Sequence, residues 1–170
     1  MQPSVHPTLA GGFAGLDALE GLPREPAFSR QEYRRRIGEV RAEMEASGVD
    51  ALLVFSPPHV FYLSGFQSFS MYNAECVILP LAGDPLLVVH PPEVGGALLH
   101  SWLEGVYGYA EGRGREAYIA ELLADGGFAG STIGVEIASR ALPVQFHDSL
   151  KANLPGAEFV DGSDLVPSVK

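Results

Sequence analysis

The chain has 170 residues with 46% hydrophobic content, the size of one domain able to bury a core of its own. Its formal net charge of −10, with no basic stripe, argues against a nucleic-acid or anionic-membrane partner, because a phosphate-bearing surface repels it. One cysteine, Cys76, excludes an internal disulfide framework. No apolar run nears the roughly 20 residues of a membrane span, and residues 1–10 lack a secretory signal, so a cytoplasmic location is expected.

Residues 1–27 carry Pro3, Pro7, Pro23 and Pro26 with Gly11, Gly12, Gly15 and Gly21, and read as a loosely ordered amino-terminal arm. Residues 28–170 read as the folded domain. Ser29 is an N-cap followed three residues later by Glu32 in the capping-box arrangement, with Phe28 placed as a hydrophobic staple. The helix that follows has an apolar stripe of Tyr33, Ile37, Val40 and Met44. Arg34, Arg35, Arg36, Glu39, Arg41, Glu43 and Glu45 point elsewhere, and the arginine triplet reads as a solvated face. Gly48 ends the helix.

The almost wholly apolar run 51–55, closed by Ser56, Pro57 and Pro58, suits a central strand covered on both faces. A helical turn or two with Val60, Phe61, Tyr62 and Leu63 follows the proline corner, and Gly65 stops it in a left-handed conformation. Runs 76–81 and 86–89, joined by Ala82, Gly83, Asp84 and Pro85, make a hairpin. Pro91 and Pro92 lead into a helix with the stripe Val94, Ala97, Leu98 and Trp102, then a strand over 106–110.

A helix over 115–124 buries Tyr118, Ile119, Leu122 and Leu123 and stops at Gly126 and Gly127. Residues 132–135 form a strand, and Pro143 opens a helix carrying Phe146, Leu150 and Leu154. A last strand covers 158–160, and Asp161 or Ser163 caps a terminal turn through Leu165. The alternation predicts a three-layer α/β/α domain, and the hairpin makes its sheet mixed.

The five histidines, His6, His59, His90, His100 and His147, are scattered, and none forms a recognisable metal pair with a carboxylate. No G-x-S-x-G elbow and no P-loop lysine occur, so no catalytic residue is assigned. Gly112, Gly114 and Ala117 spell G-x-G-x-x-A, with Glu136 about where a ribose-binding acid would sit. Arg113 and Arg115 occupy that turn, which favours an ordinary surface connection. A stand-alone dinucleotide- or small-ligand-binding module is nevertheless the alternative reading.

The run Tyr62, Leu63, Ser64, Gly65 and Phe66, preceded by strand 51–55 and by a charged helix, resembles the amino-terminal domain of the creatinase, prolidase and aminopeptidase P family, the "pita-bread" metallohydrolases. The resemblance runs over about 28–170. It extends to the closing segment 158–170, where Pro167 departs from the family's arginine-containing pattern. It implies a non-catalytic domain of an Xaa-Pro peptidase or creatinase-like hydrolase whose partner is its own carboxy-terminal catalytic domain, absent from this chain.

By the same resemblance, two divalent metal ions belong to that missing domain and none to this chain. The parent is expected to be a homodimer acting on a peptide or small amide. In the family, one subunit's loop after the glycine reaches the catalytic pocket of its dimer partner. Carried over, this assigns substrate contacts to Phe66, Ser68, Phe69, Tyr72 and Asn73, with Ser70 among them. His59 stands where many relatives have asparagine and takes a capping or corner role.

Overall fold

The computed structural model describes residues 23–68, 75–109 and 114–170. Helix α1 (Arg30–Ala46) starts where its signals lie: the Glu32 N–H donates to Ser29 Oγ at 3.2 Å, and the Phe28 and Tyr33 rings meet edge to face at 5.9 Å. The capping box is only half made. The Glu32 carboxylate turns to Arg35 and Arg36 instead of back to the cap. Tyr33, Ile37, Val40 and Met44 are buried, and Gly48 ends the helix at φ 68°.

Six strands, β1 (Ala51–Val54), β2 (Cys76–Pro80), β3 (Leu86–Val89), β4 (Gly105–Gly108), β5 (Thr132–Val135) and β6 (Glu158–Asp161), form one sheet in the order β4-β3-β2-β1-β5-β6. β2 runs antiparallel to both of its neighbours, and the other three pairings are parallel. Every residue of β1 is buried, as a central strand covered on both faces requires.

Helices α1, α2 (Pro57–Ser64) and α3 (Val94–His100) cover one face of the sheet, where Tyr33, Met44, Leu52, Leu79 and Leu87 share a core. Helices α4 (Arg115–Asp125) and α5 (Val144–Asn153) cover the other, where Leu53, Ile78, Ile133 and Phe146 share a second core. The alternation of strand residues sets this division: Leu52 and Leu53 belong to opposite cores. The result is a three-layer α/β/α domain with a mixed sheet.

Three local expectations change. Pro57 and Pro58 occupy the first turn of α2 rather than a corner before it, where the absent N–H groups cost no helical bond. Trp102 lies beyond α3 and stacks on Tyr33 with centroids 5.5 Å apart, its indole N–H donating to Leu63 O at 2.8 Å. Arg36 is buried, not solvated: its guanidinium lies 4.2 Å from the Phe28 ring centroid and 4.5 Å from that of Tyr62, and Nη1 donates to Tyr62 O. An arginine can leave the solvent when aromatic faces and a carbonyl replace it.

Of the amino-terminal arm, residues 23–27 are described. They are held to the domain by the Glu25 N–H, which donates to Leu99 O at 2.8 Å, and by Arg24, whose Nη1 donates to Leu103 O at 2.5 Å and whose Nη2 pairs with Glu104 at 3.3 Å.

Candidate functional site

Five strands end, and β2 begins, at one edge of the sheet, the edge at which open α/β sheets bind their ligands. The pairing of Val54 with Val77 puts the end of β1 beside the start of β2, which Glu75 directly precedes. Glu136 follows β5, His90 follows β3 and Tyr109 follows β4, with the His90 and Tyr109 rings 5.7 Å apart. A row of polar and ionisable groups thus lines an edge whose strands are apolar within the sheet.

At the β1–β5 end of the row, Glu136 is 2% exposed. Its Oε2 accepts from the Phe55 and Ser56 N–H groups at 2.8 and 2.7 Å, and its Oε1 lies 2.5 Å from His59 Nδ1. This carboxylate stands in for the donors' missing strand and helix partners at the turn from β1 into α2. His59 therefore fills the corner role. Both Glu136 oxygens are occupied from within the chain, so Glu136 has no free face to offer a ribose, and the dinucleotide reading loses its acid. Gly114 is the N-cap of α4, while Gly112 and Arg113 lie outside the described residues.

At the β2–β3 end, Glu75 is 4% exposed and its carboxyl lies within hydrogen-bonding reach of that of Glu93. Burial first, and then the bond to Glu93, push Glu75 up from an ordinary 4.5 to about 7. Ser68 Oγ donates to Glu93 Oε1. Burial also raises Tyr109 at the end of β4 and the Cys76 thiol beside Glu75, so Cys76 is a small buried hydrophobe rather than a nucleophile.

Among the described residues no three His, Cys, Asp or Glu side chains converge as metal ligands would, and no helix is long and apolar enough to cross a membrane. Tyr62, Leu63 and Ser64 complete α2, and Gly65 ends it at φ 77° with its N–H on Phe61 O. This is the feature that carried the resemblance. The profile of the creatinase/prolidase N-terminal domain matches residues 36–169. The chain belongs to this family.

Its relatives diverge in chemistry. Over 148 residues the creatinase/prolidase-type domain is 29% identical to an ectoine hydrolase of Halomonas elongata, covering 82% of this chain and 37% of that protein. The N-terminal domain of the cytoplasmic peptidase PepQ from Mycobacterium tuberculosis superposes with a TM-score of 0.68 at 24% identity, covering 80% of this chain and 98% of that one. The dipeptidase PepE from Mycobacterium ulcerans gives 0.67 at 22% identity, covering 84% of this chain and 38% of that one. The chain thus spans well under half the length of the hydrolase relative.

Of the residues the resemblance assigns to substrate contact, Phe66 and Ser68 are described, and Phe69, Ser70, Tyr72 and Asn73 lie outside the described residues. Phe66 is 3% exposed in the core beneath α2, its N–H on Ser64 Oγ at 3.1 Å, so it anchors the creatinase-type segment rather than facing solvent. Ser68 is half-buried on Glu93. Sequence reasoning missed Glu75, Glu93 and the Glu136–His59 pair. The one signal for Glu75 was its place directly before an apolar strand.

Proposed function

We propose that this chain is the amino-terminal domain of a metal-dependent hydrolase that cleaves Xaa-Pro peptides or a creatine- or ectoine-like amide. The domain has no catalysis of its own. It supports homodimer formation and lends the segment after Gly65 to the substrate pocket of the partner subunit. There Phe66 anchors the segment, while Ser68, Phe69, Tyr72 and Asn73 supply hydroxyl, aromatic and amide groups.

The observation that carries this reading is the family match over residues 36–169, in a chain that spans 37% of the length of a hydrolase relative. The described residues do not fit a dinuclear metal centre, since no three ligands converge. The two divalent ions of the proposed parent belong to its carboxy-terminal domain, where they would activate the attacking water. A cytoplasmic location goes with this reading, as PepQ is called a cytoplasmic peptidase.

The test is on the full-length parent. Assayed with an Ala-Pro dipeptide, creatine and ectoine, it is expected to hydrolyse one of them only when divalent metal is present. Tyr72→Ala combined with Asn73→Ala is expected to raise KM about tenfold, or ~1.4 kcal/mol of binding. Unchanged kcat and KM would remove the pocket-lining role. A native protein of 18.1 kDa in its source cells would remove the parent altogether.

A further inference from the structure

Ser68 and Glu75 are the two described residues that flank segment 69–74, and one side chain holds both. Glu93, in the turn Pro91–Glu93 that leads into α3, accepts the Ser68 hydroxyl on Oε1 and has the Glu75 carboxyl within hydrogen-bonding reach. Two carboxylates repel each other, and neither has a hydrogen to donate; a carboxyl–carboxyl hydrogen bond exists only when one of the two carries a proton. Glu75 Oε1 and Glu93 Oε2 are buried, and no donor in the described residues reaches either. A fully ionised pair would leave two negative charges in that state, close together and largely out of water.

The other charged and titratable groups of this corner come from three elements. His90 and Tyr109 follow β3 and β4, and their rings meet at a tilt of 53°. Arg115 and Glu116 open α4, and together with Glu75 and Glu93 they act on Tyr109. Among the effects that set Glu75 itself, burial and Glu93 favour the proton, while the Glu75 N–H and Ser68 oppose it.

We propose that Glu75 and Glu93 share one proton, and that this proton joins the two flanks of segment 69–74, so that their geometry depends on pH. The pair is a positioning device. On the reading of the segment given under Proposed function, the pair would pass this pH dependence to the parent's KM through this chain. The shared proton itself needs nothing but the chain.

The sign of the effect on stability follows from linkage. The folded chain keeps a proton that the unfolded chain loses near 4.5, so stability falls as pH rises from about 4.5 to about 7 and is level above. Glu75→Gln offers Glu93 an amide donor and cannot ionise. Its melting temperature is expected to lose that fall and to exceed the wild type's by about 3 °C or more above pH 8.

The Glu75 carboxyl carbon resonance of the wild-type 170-residue chain is expected to titrate near 7. Glu93→Gln should lower that step. Amide exchange at Gln67 and Ser68 should quicken across it in the wild type. This resonance decides the question even where a variant fails to fold. A Glu75 that titrates alone near 4.5, or a Glu75→Gln stability profile parallel to the wild type's, overturns the proposal. Neither result bears on the Tyr72 and Asn73 test, so the two readings fail separately.

Discussion

Glu136 and Glu75 close the same edge of the sheet, two strands and roughly 10 Å apart by strand spacing, and are satisfied in opposite ways. Glu136 meets the His59 ring and two backbone N–H donors that the fold places whatever the pH. Glu75 meets another carboxyl. The first arrangement is held by backbone donors and serves as a structural tie between β1, α2 and β5. The second depends on a proton, and the flanks it holds lead into the segment to which the family resemblance assigns substrate contact. Burial alone does not make a carboxyl structural or functional; its partners decide which.

The largest expected effect tests the donor-rich corner. Glu136→Ala strips acceptors from the Phe55 and Ser56 N–H groups and leaves His59 unpaired, and is expected to cost about 3 kcal/mol in urea unfolding. Glu136→Gln keeps one acceptor and should cost roughly 1 kcal/mol. If Glu136→Ala unfolds no more easily than the wild type, the contrast between the two corners is lost.

Gly65→Ala comes next, at about 2 kcal/mol in the same measurement, because a left-handed φ of 77° penalises any Cβ. The added carbon would also lie 2.6 Å from Tyr33 Oη, on a ring pinned by Trp102. Displacement of the Phe66 to Ser68 stem should quicken exchange at the Glu75 corner while leaving the Glu136 corner unchanged.

Arg36→Ala, which removes the guanidinium packed on Phe28 and Tyr62 above α2, should cost roughly 1 kcal/mol and affect both corners alike. Arg35→Ala is the control. Its pairs with Glu32 and Glu39 are exposed, and the urea midpoint should not move measurably.

The fold was largely legible. Ser29, the stripe from Tyr33 to Met44, the apolar run of β1, Gly65 and the hairpin turn at Gly83 are signals between near neighbours, and each element stands where they put it. The site was legible only as a position after Gly65. Phe66 was assigned to the substrate and lies in the core, since an aromatic residue after a helix stop looks the same in sequence whether it points in or out. Arg36 sat within an arginine triplet, and the aromatic rings of Phe28 and Tyr62 and the Tyr62 carbonyl distinguish it from Arg35.

What the sequence determined by itself is the set of strands and helices, their layered class and the family, because helix and strand periodicity, caps and breakers act over a few residues. What only the tertiary structure decided is which buried charge meets which partner. His59 reaches Glu136 across 77 positions of chain, and Ser68 reaches Glu93 across 25. Sheet order and register create those encounters, and no local pattern encodes them.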